Sequence, residues 1–240
     1  MTHFTQFGDL FEEATPQEVL TWAYEQFGDK LALVSSFQIT GVATLHMLQQ
    51  LDITIPVLTL DTGLLFPETD ELMARIEARF DLEIQRIRPQ QTVAEQAAVY
   101  GDNLWERQPN RCCHYRKVLP LREALKPYEA WITGLRRDQG PTRANTPLVS
   151  WDEKQQMIKL APFARWTQQD VWDYIHEHQL PYNTLHDQNY PSIGCVPCTR
   201  PILPGQNDLR AGRWSGQSKT ECGIHVPTNT IAVAAPVTGD

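Results

Sequence analysis

The chain has 240 residues, of which 41% are hydrophobic and 21% are charged, a composition typical of folded globular proteins. This length is enough for one or two domains with a sizeable core, which argues against a disordered or fibrous protein. The formal charge of −8 argues against broad binding to nucleic acid or anionic membranes, so an anionic ligand requires a local basic cluster. No run approaches the about 18 apolar residues of a membrane span. Residues 1–13 are acidic and lack a basic-then-apolar pattern, so we expect no signal peptide and a cytoplasmic location.

Strand-like and helix-like segments alternate through the first two-thirds of the chain. Helices are predicted over residues 16–27, 41–51, 67–80 and 92–100, and over a stretch that contains Cys112 and Cys113 and runs towards residue 125. Strands are predicted over residues 31–37, 55–60, 82–87 and 130–133. This order predicts an α/β fold with a mostly parallel, Rossmann-like sheet and helices on both faces. In the last third, Thr167 is predicted to cap a helix over residues 168–178, after which regular periodicity fades.

Polar or glycine-rich segments follow the predicted strands at the points where the strands end. They cover residues 35–38, 61–63, 86–88 and 134–137. Ligands of parallel α/β sheets bind beyond the carboxyl ends of the strands, so we expect these segments to converge on one crevice.

Basic side chains gather after the last of these strands and again late in the chain. The candidates are Arg136, Arg137, Arg143, Arg210, Arg213 and, beside a pair of cysteines, Lys117. A single arginine is ordinarily a solvated surface charge. A cluster in an acidic chain instead predicts an oxyanion site, because arginine binds phosphate or sulfate through paired, charge-assisted hydrogen bonds.

Five cysteines divide into the pairs Cys112–Cys113 and Cys195–Cys198 and the single residue Cys222. This count does not suggest a disulfide framework, and it favours a metal site with a separate reactive thiol. Structural zinc takes cysteines two to four residues apart, whereas adjacent residues on a helix point about 100° apart. A [4Fe–4S] cluster takes one thiolate at each iron corner, and adjacent cysteines can serve two corners. The pattern therefore favours the cluster, with zinc or plain buried thiols as the alternatives.

Six motifs occur in order along the chain: LDTGLLFPET at residues 60–69, CCHYRKVLPL at 112–121, TGLRRDQ at 133–139, YPSIGCVPCT at 190–199, RAGRW at 210–214 and KTECGIH at 219–225. Together they resemble the motifs of the assimilatory sulfonucleotide reductases, and within them those of the cluster-bearing adenylyl-sulfate (APS) reductases that use thioredoxin. The resemblance extends from about residue 31 to residue 225. It implies an α/β fold of the adenine-nucleotide hydrolase-like type.

The resemblance implies an oxidoreductase that converts APS to sulfite and AMP in sulfate assimilation and cysteine biosynthesis, with thioredoxin or a glutaredoxin-like protein as reductant. It implies that the Cys222 thiolate attacks the sulfate sulfur and forms an enzyme S-sulfocysteine. A cationic neighbour such as Lys219, or the basic pocket, is expected to favour ionisation of this thiol. His225 lies three residues further on and is assigned to the solvated surface.

The resemblance also implies the remaining site residues. Contacts with the phosphosulfate are expected from Lys117, Arg143, Arg210 and Arg213. Arg136 and Arg137 are placed in the same substrate site, with Ser35 and Ser36 on its adenosine and phosphate side. The implied ligands of a [4Fe–4S] cluster are Cys112, Cys113, Cys195 and Cys198. We accordingly divide the chain into an α/β nucleotide-binding and cluster-binding domain, residues 1–202, and a mobile C-terminal tail, residues 203–240, that carries Cys222.

Other functions remain as alternatives. One is reduction of the 3′-phosphorylated nucleotide (PAPS), alone or together with APS, although the resemblance implies that enzymes restricted to PAPS generally lack the cluster cysteines. Another is a non-catalytic, iron–sulfur, nucleotide-binding regulator. A tRNA-thiolating ATP pyrophosphatase is disfavoured, because the first loop, SFQITG at residues 36–41, has no carboxylate for Mg²⁺. We expect no nucleic-acid or membrane partner, and a homo-oligomer is one open arrangement.

Overall fold

The computed structural model describes residues 11–203, 205–206 and 208–225. The predictions made for residues 1–10 and for a loose segment over residues 226–240 lie outside these ranges. Within the described part of the chain, no helix combines the length and the apolar character needed to cross a membrane.

Helices and strands alternate along the chain as the sequence predicts. The helices are α1 (Pro16–Phe27), α2 (Ile39–Gln50), α3 (Pro67–Phe80), α4 (Val93–Tyr100), α5 (Leu104–Arg107), α6 (Pro109–Cys113), α7 (Leu119–Leu125) and α8 (Gln168–Glu177). The strands are β1 (Leu31–Val34), β2 (Val57–Leu60), β3 (Ile84–Ile87), β4 (Ala130–Thr133), β5 (Val149–Asp152) and β6 (Met157–Leu160). A π-helical turn, His114–Val118, joins α6 to α7, and short 3₁₀ turns include Pro141–Arg143 and Val196–Cys198.

The strands of the described residues form a six-stranded sheet in the order β3-β2-β1-β4-β6-β5. All neighbouring pairs are parallel except β5 and β6, which form an antiparallel hairpin at one edge. In the centre, Leu33 of β1 lies opposite Val57 of β2 and Ile132 of β4. The predicted mostly parallel sheet is confirmed, while the hairpin was not predicted.

Helices cover both faces of this sheet because alternate residues of each strand point to opposite sides. Leu31 and Leu33 of β1 lie in the larger core, together with buried residues of α1, α2, α3 and α8. Ala32 lies in a second core with Trp131 of β4 and buried residues of α7. Ile224, near the end of the described chain, is buried in this second core.

Local hydrogen bonds determine where the elements begin and end. Strand β1 ends at Val34, three residues before the predicted end, because Ser35 Oγ accepts a hydrogen bond from the Phe37 N–H at 3.0 Å. Phe37 then adopts a φ of +52°, which no strand can continue through. Thr167 caps α8 as predicted, and its side chain accepts a hydrogen bond from the backbone of Asp170.

Candidate active site

A cavity lies beyond the carboxyl ends of β1, β2 and β4. Its lining includes Ser35 and Ser36 after β1, Thr62 after β2 and Gly134 after β4. The predicted convergence is confirmed for these three segments. Residues 86–88, at the end of the edge strand β3, are not part of the described lining, so the expectation was wrong for that segment.

The N-terminus of α2 faces the cavity through Ile39, Thr40 and Gly41. A helix N-terminus presents unpaired backbone N–H groups and a partial positive charge, which favour an anionic group. The helix approaches the preceding loop closely, since a Cβ added at Gly41 would lie 2.3 Å from Ser35 Oγ. Ser35 is buried in this contact, and Ser36 is exposed beside it.

Cationic residues line the cavity, although the chain as a whole is acidic. They are Lys117, Arg136, Arg143, Arg210 and Arg213. No aspartate or glutamate belongs to the lining formed by the described residues. The charge of this lining therefore favours an anionic ligand.

The predicted arginines all have partners within the protein, and those of Arg136 and Arg137 separate their roles. Arg136 is buried, and it donates to Thr40 Oγ1 at 2.7 Å and to Asp138 Oδ1 at 3.0 Å, so it braces α2 against the loop after β4. Arg137 does not line the cavity and instead binds both carboxylate oxygens of Glu12. We therefore leave Arg137 out of the site.

Three residues of the lining carry buried N–H donors that have no acceptor among the described residues. Trp131 Nε1, Arg213 Nε and Trp214 Nε1 all belong to residues that line the cavity, and none has a hydrogen-bond partner among the described residues. Arg213 is held by Ser192 Oγ at 3.1 Å, and its guanidinium lies 4.6 Å from the Trp214 ring centroid. Buried donors ordinarily find a partner, so each of these three lacks an acceptor that the described residues could supply.

Two thiols belong to the lining, those of Cys195 and Cys222. Burial acts to raise the pKa of Cys195, but Lys117 and the Thr62 hydroxyl, 3.3 Å from the sulfur, outweigh it and lower the pKa. Burial acts in turn to lower the pKa of Lys117, but the Cys195, Cys113 and Cys222 thiolates raise it above its usual range. Lys117 therefore stays charged between the paired cysteines and Cys222.

The four paired cysteines are brought together from both halves of the chain. All four are free thiols, with Cys112, Cys113 and Cys195 buried and Cys198 partly buried. Burial first, and then the neighbouring thiolates of the same set, raise the pKa of Cys112 and of Cys198 to about 11. Among the described residues, no three His, Cys, Asp or Glu side chains are arranged to hold one metal ion. Four clustered thiolates repel one another and need added positive charge, and the donor set is compatible with an iron–sulfur cluster.

A buried network supports these cysteines that the sequence analysis did not identify. Arg116 is buried, and it donates from Nε to the Thr62 carbonyl at 2.7 Å and from Nη1 to Gln96 Oε1 at 3.2 Å. Gln96 Nε2 in turn lies 4.0 Å from Cys112 Sγ. The only sequence signal was the place of Arg116 inside the CCHYRK motif.

His225 was wrongly assigned to the solvated surface. The residue is half-buried and lines the cavity, and its ring stacks on Trp131 at a centroid distance of 5.7 Å and an interplanar angle of 7°. Burial lowers the pKa of His225 well below its usual value, and nearby Lys159 and Arg143 lower it further. The imidazole is therefore neutral, and its Nδ1 has no partner among the described residues.

The fold and the cavity define an α/β protein whose site, beyond the carboxyl ends of the strands, suits an anionic ligand and whose lining carries two thiols. Residues 30–201 match the phosphoadenosine phosphosulfate reductase domain family, and the chain belongs to that family.

Curated relatives share about half of their residues with this chain. The adenosine 5′-phosphosulfate reductase of Geobacillus thermodenitrificans is 49% identical over 87% of this chain and 89% of its own length. Adenosine 5′-phosphosulfate reductase 1 of Bacillus subtilis is 50% identical over 86% of this chain and 89% of its own length. The corresponding reductase of Streptomyces coelicolor is 49% identical over 91% of each chain.

Solved structures agree with the fold. The phosphoadenylyl-sulfate (PAPS) reductase of Candida auris, in a phosphate complex, is 30% identical with a TM-score of 0.73, covering 82% of this chain and 96% of its own. The FMN adenylyltransferase of Candida glabrata, 12% identical with a TM-score of 0.57, covers 78% of this chain and 63% of its own and shares the fold alone. The predicted adenine-nucleotide hydrolase-like fold is thereby confirmed.

Proposed function

We propose that the protein reduces APS to sulfite and AMP in sulfate assimilation and cysteine biosynthesis. One observation carries the proposal: the Cys222 thiol belongs to a cavity that is lined by cations, lacks carboxylates in its described lining and lies at the carboxyl ends of the strands. The family and the names of the curated relatives support APS as the substrate.

The substrate binds with its negative charge at the cationic end of the cavity. Lys117 and Arg213 contact the phosphosulfate, and Arg143 and Arg210, which are paired with Glu221, lie close by. The AMP portion extends towards Ser35 and Ser36, where the N-terminus of α2 adds a favourable partial charge.

Cys222 then acts as a nucleophile. Its thiolate forms a bond to the sulfate sulfur while the bond between that sulfur and the bridging phosphate oxygen breaks, so AMP leaves with the electron pair. Cys222 retains the sulfonate as S-sulfocysteine. The ammonium of Lys117 and the guanidinium of Arg213 offset the negative charge that gathers on the phosphosulfate during the attack.

The protein reductant completes the reaction. A thiolate of reduced thioredoxin, or of a glutaredoxin-like protein, attacks Cys222 Sγ, and sulfite leaves with the electron pair of the sulfur–sulfur bond. The second thioredoxin thiol resolves the mixed disulfide and regenerates the Cys222 thiolate. The two electrons that reduce the sulfur thus come from the oxidation of a dithiol to a disulfide.

Cys112, Cys113, Cys195 and Cys198 would hold a [4Fe–4S] cluster. When bound, such a cluster supplies positive charge that keeps buried thiolates ionised, and it ties distant parts of the chain together. The buried Lys117, Arg116 and Thr62 that surround these sulfurs support this assignment.

The division into residues 1–202 and a mobile tail of residues 203–240 belongs to the same proposal, as does a cytoplasmic location. Cys222 must first contact the sulfur of the bound substrate and later become accessible to a protein reductant. A tail that closes over the cavity and reopens allows both steps. The ion pair of Glu221 with Arg143 and the burial of Ile224 in the second core support the closed position.

Transfer of labelled sulfur tests the reaction. Protein purified without oxygen and given ³⁵S-labelled APS should release up to one AMP per site and keep the label until reduced thioredoxin liberates it as sulfite. Cys222→Ser should bind AMP and retain iron yet release no AMP, because a hydroxyl does not ionise as a thiol does. Label retained by Cys222→Ser would show that another group attacks, and the proposed mechanism would be wrong.

Reduction of PAPS is the second candidate, because the Candida auris structure and the family carry that substrate in their names. Steady-state rates on both nucleotides decide between them. A kcat/KM for PAPS equal to or above that for APS would overturn the assignment of APS as the preferred substrate. Failure to release AMP or sulfite from either nucleotide would instead favour a non-catalytic regulator.

A further inference from the structure

Glu221, the residue immediately before Cys222, is bound by two arginines. Its Oε1 accepts from Arg143 Nε at 2.8 Å, and its Oε2 accepts from Arg143 Nη2 at 2.8 Å. Thr142 Oγ1 adds a third bond at 3.0 Å, and Arg210 Nη2 a fourth at 3.3 Å. The side chains of the pair are only 10% and 11% exposed, so Arg143 and Glu221 form a shielded, bidentate ion pair.

The partner of Glu221 is itself fixed to the body of the protein. Arg143 lies at the end of the turn Pro141–Arg143 and donates from Nη1 to Gln139 Oε1 at 2.6 Å. Arg210 also donates to the backbone carbonyl of Thr220 at 2.9 Å. The segment before Cys222 is therefore held at both its backbone and its side chain.

The segment after Cys222 is held as well. Lys154 Nζ donates to the Gly223 carbonyl at 2.8 Å, and Ile224 is buried in the second core. The position of Cys222 thus depends on its neighbours on both sides. Of these contacts, the ion pair of Glu221 is the one that combines charge with fixed geometry.

We propose that Glu221 is a positioning residue that holds the Cys222 thiol in the cavity through its ion pair with Arg143. The inference rests on the proposed function, in which Cys222 attacks the bound sulfonucleotide. Burial acts to raise the pKa of Glu221, but Arg143 and Arg210 outweigh it and lower the pKa, so the carboxylate is ionised at neutral pH. A neutral side chain at residue 221 loses the ion pair and frees the tail to leave the cavity.

A competing role predicts the opposite kinetic effect. Glu221 neutralises two cations that could contact the phosphosulfate, so it could instead act as an internal anion that the substrate must displace. Removing its charge would then strengthen APS binding without slowing the reaction, whereas loss of positioning slows the reaction and leaves nucleotide affinity unchanged.

The first experiment measures single-turnover AMP release from saturating APS by the complete, cluster-containing protein. For Glu221→Gln we expect release to slow by about 100-fold, the order expected when a reacting group is misplaced by about 1 Å. The dissociation constant for AMP should stay within about twofold of the wild-type value, which corresponds to about 0.4 kcal/mol. Glu221→Asp should recover part of the rate because it keeps the charge. Glu123→Gln, which removes an exposed carboxylate paired only with Lys126, is the matched control and should react as the wild type does.

The second experiment needs no turnover. Iodoacetamide alkylates Cys222, and mass spectrometry of the tail peptide measures the rate. Alkylation should be at least about tenfold faster in Glu221→Gln and in Arg143→Gln than in wild type. This ratio corresponds to a loss of about 1.4 kcal/mol in the free energy that holds the tail closed. Unchanged AMP release together with unchanged alkylation would overturn the inference, and so would tighter APS binding at an undiminished rate. If wild type forms no S-sulfocysteine while the variants still alkylate faster, the proposed reaction fails and the role of Glu221 in holding Cys222 stands.

Discussion

Replacing Gly41 by alanine should destabilise the protein, although the same change in a helix ordinarily stabilises. Gly41 lies in the first turn of α2, where its backbone borders the cavity. Alanine in place of glycine in a helix contributes about 0.5–1 kcal/mol of stability. Here the new Cβ would lie 2.3 Å from Ser35 Oγ, a separation that van der Waals repulsion forbids.

The loss of stability follows from how the Ser35 side chain must move to make room for the new methyl group. Rotation about its Cα–Cβ bond removes Oγ from the added methyl group, but it also breaks the bond that Oγ accepts from the buried Phe37 N–H at 3.0 Å. Leaving that donor unsatisfied costs about 1–3 kcal/mol. The net expectation for Gly41→Ala is a loss of about 1 kcal/mol, or a fall in Tm of about 2–4 °C in a chain of this size.

A double-mutant cycle isolates the contact. Ser35→Ala removes Oγ, and the remaining neighbour, Ser35 Cβ, would lie at an ordinary 3.5 Å. In the Ser35→Ala background, Gly41→Ala should therefore raise the Tm, since only the helical gain remains. Thermal unfolding followed by circular dichroism measures all four proteins, with the cluster intact. If Gly41→Ala raises the Tm in the wild-type background, the close packing that underlies this reasoning is wrong.

Three further predictions address charge, metal and pH. Lys117→Ala should lower kcat by about 100-fold, as loss of a preorganised charge at a reacting centre does, and a wild-type rate would place Lys117 outside the chemistry. Cys195→Ala should lose iron and sulfide and become more sensitive to protease, and stoichiometric zinc without sulfide in the wild type would refute the cluster. Burial lowers the pKa of His186 to about 4, so the folded protein resists its protonation. The unfolded state binds that proton near pH 6.5, so the free energy of unfolding should fall by about 3 kcal/mol between pH 7 and pH 4. His186→Gln should flatten that decline in urea titrations, and an identical slope in both proteins would contradict the assignment.

The fold was largely predictable because its strands and helices carry strong local signals. Helix α1 and strand β4 have the predicted bounds, since Thr15 and Pro16 mark the helix start and residues 130–133 form a short apolar run between polar segments. The hairpin of β5 and β6 was not found. Residue 151 of β5 is an exposed tryptophan and the connecting residues 153–156 are polar, so the segment lacks the apolar run that marked the other strands.

The candidate site was predictable where residue type alone carries the chemistry. The cations and thiols of the cavity were identified as a set, because arginine clusters and paired cysteines are rare without a ligand. Arg137 was included wrongly, since adjacent residues on one loop point in different directions and only tertiary contact with Glu12 shows where this one goes. Glu221 and His225 were missed as partners because the surfaces that they meet, Arg143 and Trp131, are far away in sequence.

The distribution of charge explains how an acidic chain can hold an acidic ligand. A net charge of −8 repels a sulfonucleotide at long range, but salt screens that repulsion within about 8 Å at physiological ionic strength. Inside the cavity the cations are partly shielded from solvent, so they act on the ligand with little screening. Glu221 places a carboxylate near these cations because it is adjacent to Cys222 in the chain. Arg143 and Arg210 form ion pairs with this carboxylate and neutralise its charge. The Cys222 thiolate therefore lies beside a carboxylate whose charge is neutralised. Lys117 and Arg213 remain available to bind the phosphosulfate that the thiolate attacks.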